Sequence, residues 1–108
     1  MSEIFRALAD PTRRKVLHLL RQRAMTAGEL SACFDVSKAT MSAHFSVLRE
    51  AGLIEAEKQG RSITYWLKLS VLEDALLGFS EAFGIGVQRS NAPANANANA
   101  RKEDRSVQ

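Results

Sequence analysis

The sequence predicts a mainly α domain with one β-hairpin, its elements running α-α-α-α-β-β-α. Three observations carry that reading. Residues 3–52 set apolar side chains at helical spacing between repeated capping signals. Residues 53–69 switch to a period of two, with β-branched and aromatic side chains around a glycine. Residues 70–84 return to the helical period. The chain has 108 residues, 45% of them hydrophobic. That suffices for one domain with a small core and is too little for separate cofactor and substrate domains.

Ile4, Phe5 and Leu8 give a short first helix over 3–9 with one apolar edge. Asp10 caps a second helix, and Pro11 at its first position loses no intrahelical bond. This helix extends to about Arg23 on an apolar face of Val16, Leu17, Leu19 and Leu20, while Arg13, Arg14, Lys15, Arg21 and Arg23 make it basic. Thr26 and Glu29 stand in capping-box spacing and open a third helix through Phe34, with Leu30 and Phe34 one turn apart. Asp35-Val36 makes a tight link. Ser37 then caps a fourth helix over 37–51, SKATMSAHFSVLREA, and Gly52 sits where a left-handed cap belongs. LIEAEK and SITYWLKL form the hairpin, separated by Gln59-Gly60-Arg61, a polar and positively charged tip. Ser70 and Glu73 form a second capping box. The fifth helix follows to about Gly84 with Val71, Leu72, Ala75, Leu76, Phe79, Ala82 and Phe83. The third and fourth helices, joined by so short a turn and followed by a hairpin, make a winged helix-turn-helix over residues 1–90. Asn91 to Gln108 alternates Asn and Ala, ends in mixed charge and has Val107 as its one larger aliphatic residue. Residues 91–108 are therefore read as a disordered, solvated tail.

Charge and composition narrow the partners. Fifteen Lys and Arg against 12 Asp and Glu leave +3, which permits a nucleic-acid partner without requiring one. No run approaches the roughly 18 uninterrupted apolar residues of a membrane span. The N-terminal MSEIFRALADPTRRK lacks an apolar run before a small-residue cleavage site, which predicts no signal peptide. One cysteine, Cys33, cannot close an internal disulfide, so a reduced, cytoplasmic protein is expected.

The fourth helix carries the functional signal. At about 100° per residue, Met41, Phe45 and Leu48 fall on one side and face the core. The opposite side carries Ala39, Ala43 and Ser46, flanked by Thr40 and Ser42, with Lys38 and His44 nearer the edges. No carboxylate occurs on this helix before Glu50. Ordinary solvent-facing helices carry Glu and Lys. A small, hydroxylated face fits the major groove, where small residues permit close approach and hydroxyls reach base edges or phosphates. Lys38 at the helix start can pair with phosphate. His44 has three readings, in order a DNA contact, a half-buried histidine bonded to backbone, and a metal ligand. Lys58 and Arg61 can decorate an exposed turn or, beside DNA, bind phosphate or enter the minor groove, Arg61 being the better placed. Tyr65 and Trp66 fall on opposite sheet faces, so at least one packs inward, and they are not read as a stacking platform.

ALADPTRRKVLHLL and MTAGELSACFDVSKATMSAHFSVLREAGLIEAEKQGRSITYWL together resemble the ArsR/SmtB family of winged-helix repressors, over about residues 3–84. Within it the chain is similar to the SdpR-like autorepressors, which share the MTAGEL helix. The resemblance implies a homodimer built from the first and last helices, repression by occupying promoter DNA, and release by an inducer. The broad apolar face of the fifth helix agrees, since it exceeds what a short helix buries in a small monomer. Ile4, Phe5, Leu8, Leu72, Leu76, Phe79 and Phe83 are the candidate interface, the other reading being that all belong to the monomer core. Two-fold symmetry places two recognition helices about 34–36 Å apart on an inverted repeat.

Many family members bind metal through a Cys-x-Cys at the start of the third helix. The matching positions here are Thr26 and Gly28, which supply no thiolate. A second family site uses Asp, His and Glu across the fifth helix, where this chain has Glu73, Asp74 and Glu81 but no histidine. Cys33 beside Phe34 is expected as a buried, inert thiol. Neither metal sensing nor a cofactor is therefore expected. A ligand- or redox-responsive repressor is a variant of this reading, and a protein-interaction module is the alternative from another class. Small polar faces make poor protein hot spots, which feature Trp, Tyr or Arg. An enzyme is not expected. The chain has no Gly-rich phosphate loop, no G-x-S-x-G and no H-E-x-x-H, and no acid at recognisable spacing orients Cys33, His18 or His44.

Overall fold

Among the described residues, three of the five helices begin at a side chain that satisfies a first-turn amide, the group a helix start leaves without an intrahelical partner. The structure is a computed structural model and describes residues 2–86. The expected tail, 91–108, lies outside them, as do residues 87–90 of the expected domain. α1 is Ser2–Leu8. α2 is Pro11–Gln22, with Pro11 at its start and Asp10 Oδ2 accepting from the Arg13 amide at 3.0 Å. α3 is Ala27–Ser31 and starts in a complete capping box. Thr26 Oγ1 accepts from the Glu29 amide at 3.0 Å, and Glu29 Oε1 accepts from the Thr26 amide at 2.9 Å. α4 is Lys38–Glu50, capped by Ser37 Oγ on the Thr40 amide at 3.1 Å. Gly52 follows with φ +78°, the left-handed geometry in which a Cβ is strained.

The expected end of α3 and the expected start of α5 move, and α5 ends at Ala82 rather than about Gly84. α3 ends at Ser31 rather than Phe34, because the chain tightens into successive three-residue turns. Cys33 N donates to Leu30 O and Phe34 N to Ser31 O. That turn leaves Phe34 half-buried, with Lys15 Nζ 5.1 Å from its ring centroid, and Cys33 exposed. The expected buried thiol is thus corrected: the turn that seats Phe34 rotates Cys33 outward. α5 is Leu69–Ala82, so Ser70 lies inside its first turn and does not cap it. The Lys68 carbonyl opens the helix instead, accepting from Val71 N at 3.1 Å and Leu72 N at 3.4 Å. Lys68 N is itself tied to Leu53 O at 2.8 Å, so the helix starts directly off the end of a strand.

The hairpin gains a third strand. β2 (Ile54–Gln59) and β3 (Ser62–Leu67) pair antiparallel from Ile54↔Leu67 to Gln59↔Ser62. Gln59 therefore belongs to the strand, and the turn is Gly60-Arg61, with Gly60 at φ +61°. β1 (Met25–Thr26) adds to the other edge of β3 through Met25↔Tyr65 and Thr26↔Thr64, for a sheet order β1-β3-β2.

The chain divides after Ala75 into two compact units. The first holds the core. Val16, Leu17 and Leu20 of α2, Leu30 of α3, Met41, Phe45 and Leu48 of α4, and Leu53, Ile54 and Tyr65 are all buried together. The inward face read for the fourth helix is the observed one, and Tyr65 is the aromatic that points in, its ring 4.7 Å from that of Phe45. In the second unit Ser80 is buried, its Oγ donating to Leu77 O at 3.0 Å, and the Phe79 and Phe83 rings lie 4.8 Å apart.

Candidate nucleic-acid interface

α4 shows two chemistries. Inward are Met41, Phe45 and Leu48; outward Lys38, Ala39, Thr40, Ser42, Ala43 and Ser46 are all exposed. The burial of the first set forces the second outward, because the two are interleaved on one helix. Thr40 differs from its neighbours: its Oγ1 accepts from Ser37 Oγ at 2.9 Å, leaving its own proton to offer. Ser42 and Ser46 make no side-chain hydrogen bond to other described residues. Lys38, Ser42 and Phe45 line an open groove shared with Gly28 of α3 and with Ile63 and Tyr65 of β3. Burial pushes the Tyr65 phenol above its usual range, so it stays neutral there. Lys58 and Arg61 are exposed at the far end of the hairpin.

His44 sits apart from the exposed set, its side chain 14% exposed. Nδ1 faces Arg13 Nη1 at 3.2 Å, and Nε2 lies 3.9 Å from Asp10 Oδ2. Its hydrogen bond to a second helix is to the Arg13 side chain, not to backbone as in the half-buried reading. Arg13 Nε also donates to Ala7 O and Nη2 to Arg6 O, both at 2.9 Å, while Arg14 Nη1 donates to Leu8 O at 2.8 Å. Two of the basic residues of α2 thus satisfy the last carbonyls of α1. Sequence reasoning counted them only as charge. The signal was their place in the first turn of α2, within reach of the helix end just before Asp10-Pro11.

Two caps make the fold acid-sensitive. The Arg13 amide bonded to Asp10 holds its carboxyl below the usual 3.8, and the Thr26 amide does the same for Glu29 against 4.5. Lowered folded values mean stabilisation that is present above the unfolded pKa and lost as pH falls through the folded one. Melting temperature is expected to drop as pH is lowered below about 4. Asp10→Asn, which keeps a capping oxygen but cannot titrate, should flatten part of that slope. A thermal-melt series in which Asp10→Asn leaves the slope unchanged would remove Asp10 from the account.

The candidate interface residues separate by environment. Ile4, Leu8 and Leu72 are partly buried against the core, and Phe5 is half-buried. Leu76, Phe79 and Phe83 are 46%, 44% and 66% exposed. At the start of α3, Thr26 Oγ1 is taken up by the capping box and Gly28 has no side chain. Among the described residues no three His, Cys, Asp or Glu side chains gather as metal ligands. No helix among them is long and apolar enough to cross a membrane.

Comparison with known proteins agrees with this arrangement. A helix-turn-helix domain family matches residues 8–57. The crystal structure of an ArsR family transcriptional regulator superposes with a TM-score of 0.66 at 34% identity, covering 80% of this chain and 92% of that one. Transcriptional repressor SdpR of Bacillus subtilis is 41% identical over 76 residues, which are 70% of this chain and 84% of SdpR. The chain belongs to the ArsR/SmtB family of transcriptional repressors. The HTH-type transcriptional regulator CmtR of Mycobacterium tuberculosis is 38% identical over 76 residues, and the match spans 64% of its length. The fold and relatives of this ArsR/SmtB protein are those of DNA-binding transcriptional regulators, not of enzymes.

Proposed function

We propose that this ArsR/SmtB repressor is a cytoplasmic homodimer that occupies an inverted-repeat operator, its own promoter included, without a metal-sensing site. α4 enters the major groove with Ala39, Thr40, Ser42, Ala43 and Ser46 toward base edges and Lys38 on phosphate. Arg61 at the wing tip follows the backbone into the neighbouring minor groove. The observation that carries the reading is the exposed face of α4, small and hydroxylated from Ala39 to Ser46, with Lys38 and Arg49 at its two ends and no carboxylate before Glu50. The groove beside this face is lined by Lys38 and Ser42 of α4 and by Ile63 and Tyr65 of β3. Dimerisation is supported by the exposed Leu76, Phe79 and Phe83, and a metal-free mode by Thr26 and Gly28 at the thiolate positions.

Binding of the full chain to its own upstream DNA, against random duplex across a salt series with and without Zn²⁺, tests this. Tight, selective and zinc-indifferent binding is the expected result; a zinc-dependent change at stoichiometric loading would end the metal-free reading. Ser42→Ala should cost about 1–3 kcal/mol and relax preference at one base position. Lys38→Ala and Arg61→Ala should weaken all sequences alike and each reduce the salt slope of the dimer by about 2, one phosphate per protomer. Equal loss at every base on Ser42→Ala would make Ser42 a phosphate contact.

A further inference from the structure

Arg13 spans three elements. From α2 its Nε and Nη2 hold the last carbonyls of α1, and its Nη1 reaches His44 of α4. A guanidinium only donates, so Nδ1 of His44 must turn a lone pair toward it and the ring proton must sit on Nε2. The charged side chains set against this imidazole are Arg13 from α2 and Asp10 from the link between α1 and α2. His44 adjoins Ala43 and lies two residues from both Ser42 and Ser46, within the part of α4 that carries the outward face.

We propose that Arg13 is a positioning residue for α4: through a neutral His44 it ties the recognition helix to the end of α1, and protonation of His44 releases that tie. This deepens, and rests on, the reading of α4 as the DNA-contacting helix. Once protonated, Nδ1 carries a hydrogen that faces the Arg13 donors, and two positive charges replace a hydrogen bond. The Asp10 carboxylate on the other side of the ring becomes the favourable partner. Of the two contacts the imidazole makes, protonation keeps the one to Asp10 and loses the one to Arg13. The sign of the effect separates this role from a direct DNA contact. A histidine on phosphate binds better when charged, whereas a histidine held by Arg13 loses operator affinity on acidification.

The test uses the ¹⁵N-labelled full chain between about pH 8 and about pH 5. Imidazole nitrogen shifts should show His44 protonated at Nε2 at the upper end. Amide resonances of residues 40–46 should move over this range. Over the same range operator affinity should fall about tenfold, the scale of one hydrogen bond to a charged group, while random-duplex affinity does not fall. Arg13→Ala should lower operator affinity at the upper end and abolish the further drop. Because that change also strips two α1 carbonyls and can unfold the domain, the second variant is His44→Asn. Its amide oxygen stands where Nδ1 stood and does not titrate, so the residue 40–46 amides should resemble those of the unmodified chain and stay flat with pH. A proton on Nδ1, amides that titrate equally in His44→Asn, or operator affinity that rises on acidification would overturn the proposal. A chain with no operator preference at any pH would defeat the DNA-binding reading instead, and the tautomer and amide responses would still decide the role of Arg13.

Discussion

Leu76→Asp should convert the protein to a monomer and cut operator affinity by about 10²-fold or more. The size of the effect comes from linkage between two half-sites. In a homodimer the second recognition helix meets its half-site intramolecularly, so losing the dimer forfeits an avidity gain of about 10²–10⁴. Leu76, with Phe79 and Phe83 one and two turns on, presents a large exposed apolar surface in the described chain. A carboxylate buried in the middle of such a face costs several kcal/mol unless paired. Because Leu76 is 46% exposed in the single chain, the change should leave the fold of the monomer nearly intact, within the range usual for surface substitutions. Sedimentation of the variant checks the assembly, its far-ultraviolet circular dichroism the fold, and titration of an operator duplex the affinity. A variant that sediments as a dimer would move the interface elsewhere. A monomer that keeps full affinity would disconnect assembly from operator binding.

What the residues disclosed in advance follows a physical divide. Features set within a few residues were legible. Asp10-Pro11, the Thr26–Glu29 box and Ser37 each cap a helix through a bond to an amide three residues on, so spacing alone reveals them. The two faces of α4 follow from the helical period, and Met41, Phe45 and Leu48 are buried as that period requires. Features decided by distant partners were not legible. β1 is two residues long, too short to show a period, and exists because Tyr65 and Thr64 offer an open strand edge. Ser70 matches a capping pattern, yet the tie from Lys68 N to Leu53 O starts α5 two residues earlier. Cys33 and Phe34 are adjacent in sequence, and the turn after α3 chose between them. The same divide runs through the candidate site. The exposed set on α4 was visible from the period, whereas the engagement of His44 by Arg13, 31 residues away, was not.

Leu48→Ala is the substitution within α4 with the largest expected effect on stability, a loss of about 2–5 kcal/mol. Leu48 is completely buried, and its cluster joins α2, α3, α4 and the sheet. Truncation removes the transfer free energy of the lost carbons and leaves a cavity that so small a core closes poorly. Set against the 5–15 kcal/mol typical of a domain, the change consumes a large part of the margin. The effect on DNA binding should be smaller in kind. At temperatures where the variant remains folded, Lys38, Ser42 and Ser46 still lie on the exposed face, so operator affinity should follow the folded fraction. Urea melts read the first quantity, and operator titration at low temperature reads the second. A stability loss below about 1 kcal/mol would mean that the cluster repacks around the cavity. Affinity lost from fully folded Leu48→Ala protein would mean that α4 has moved on its bed, and that packing beneath the helix positions the reading face as well as stabilising it.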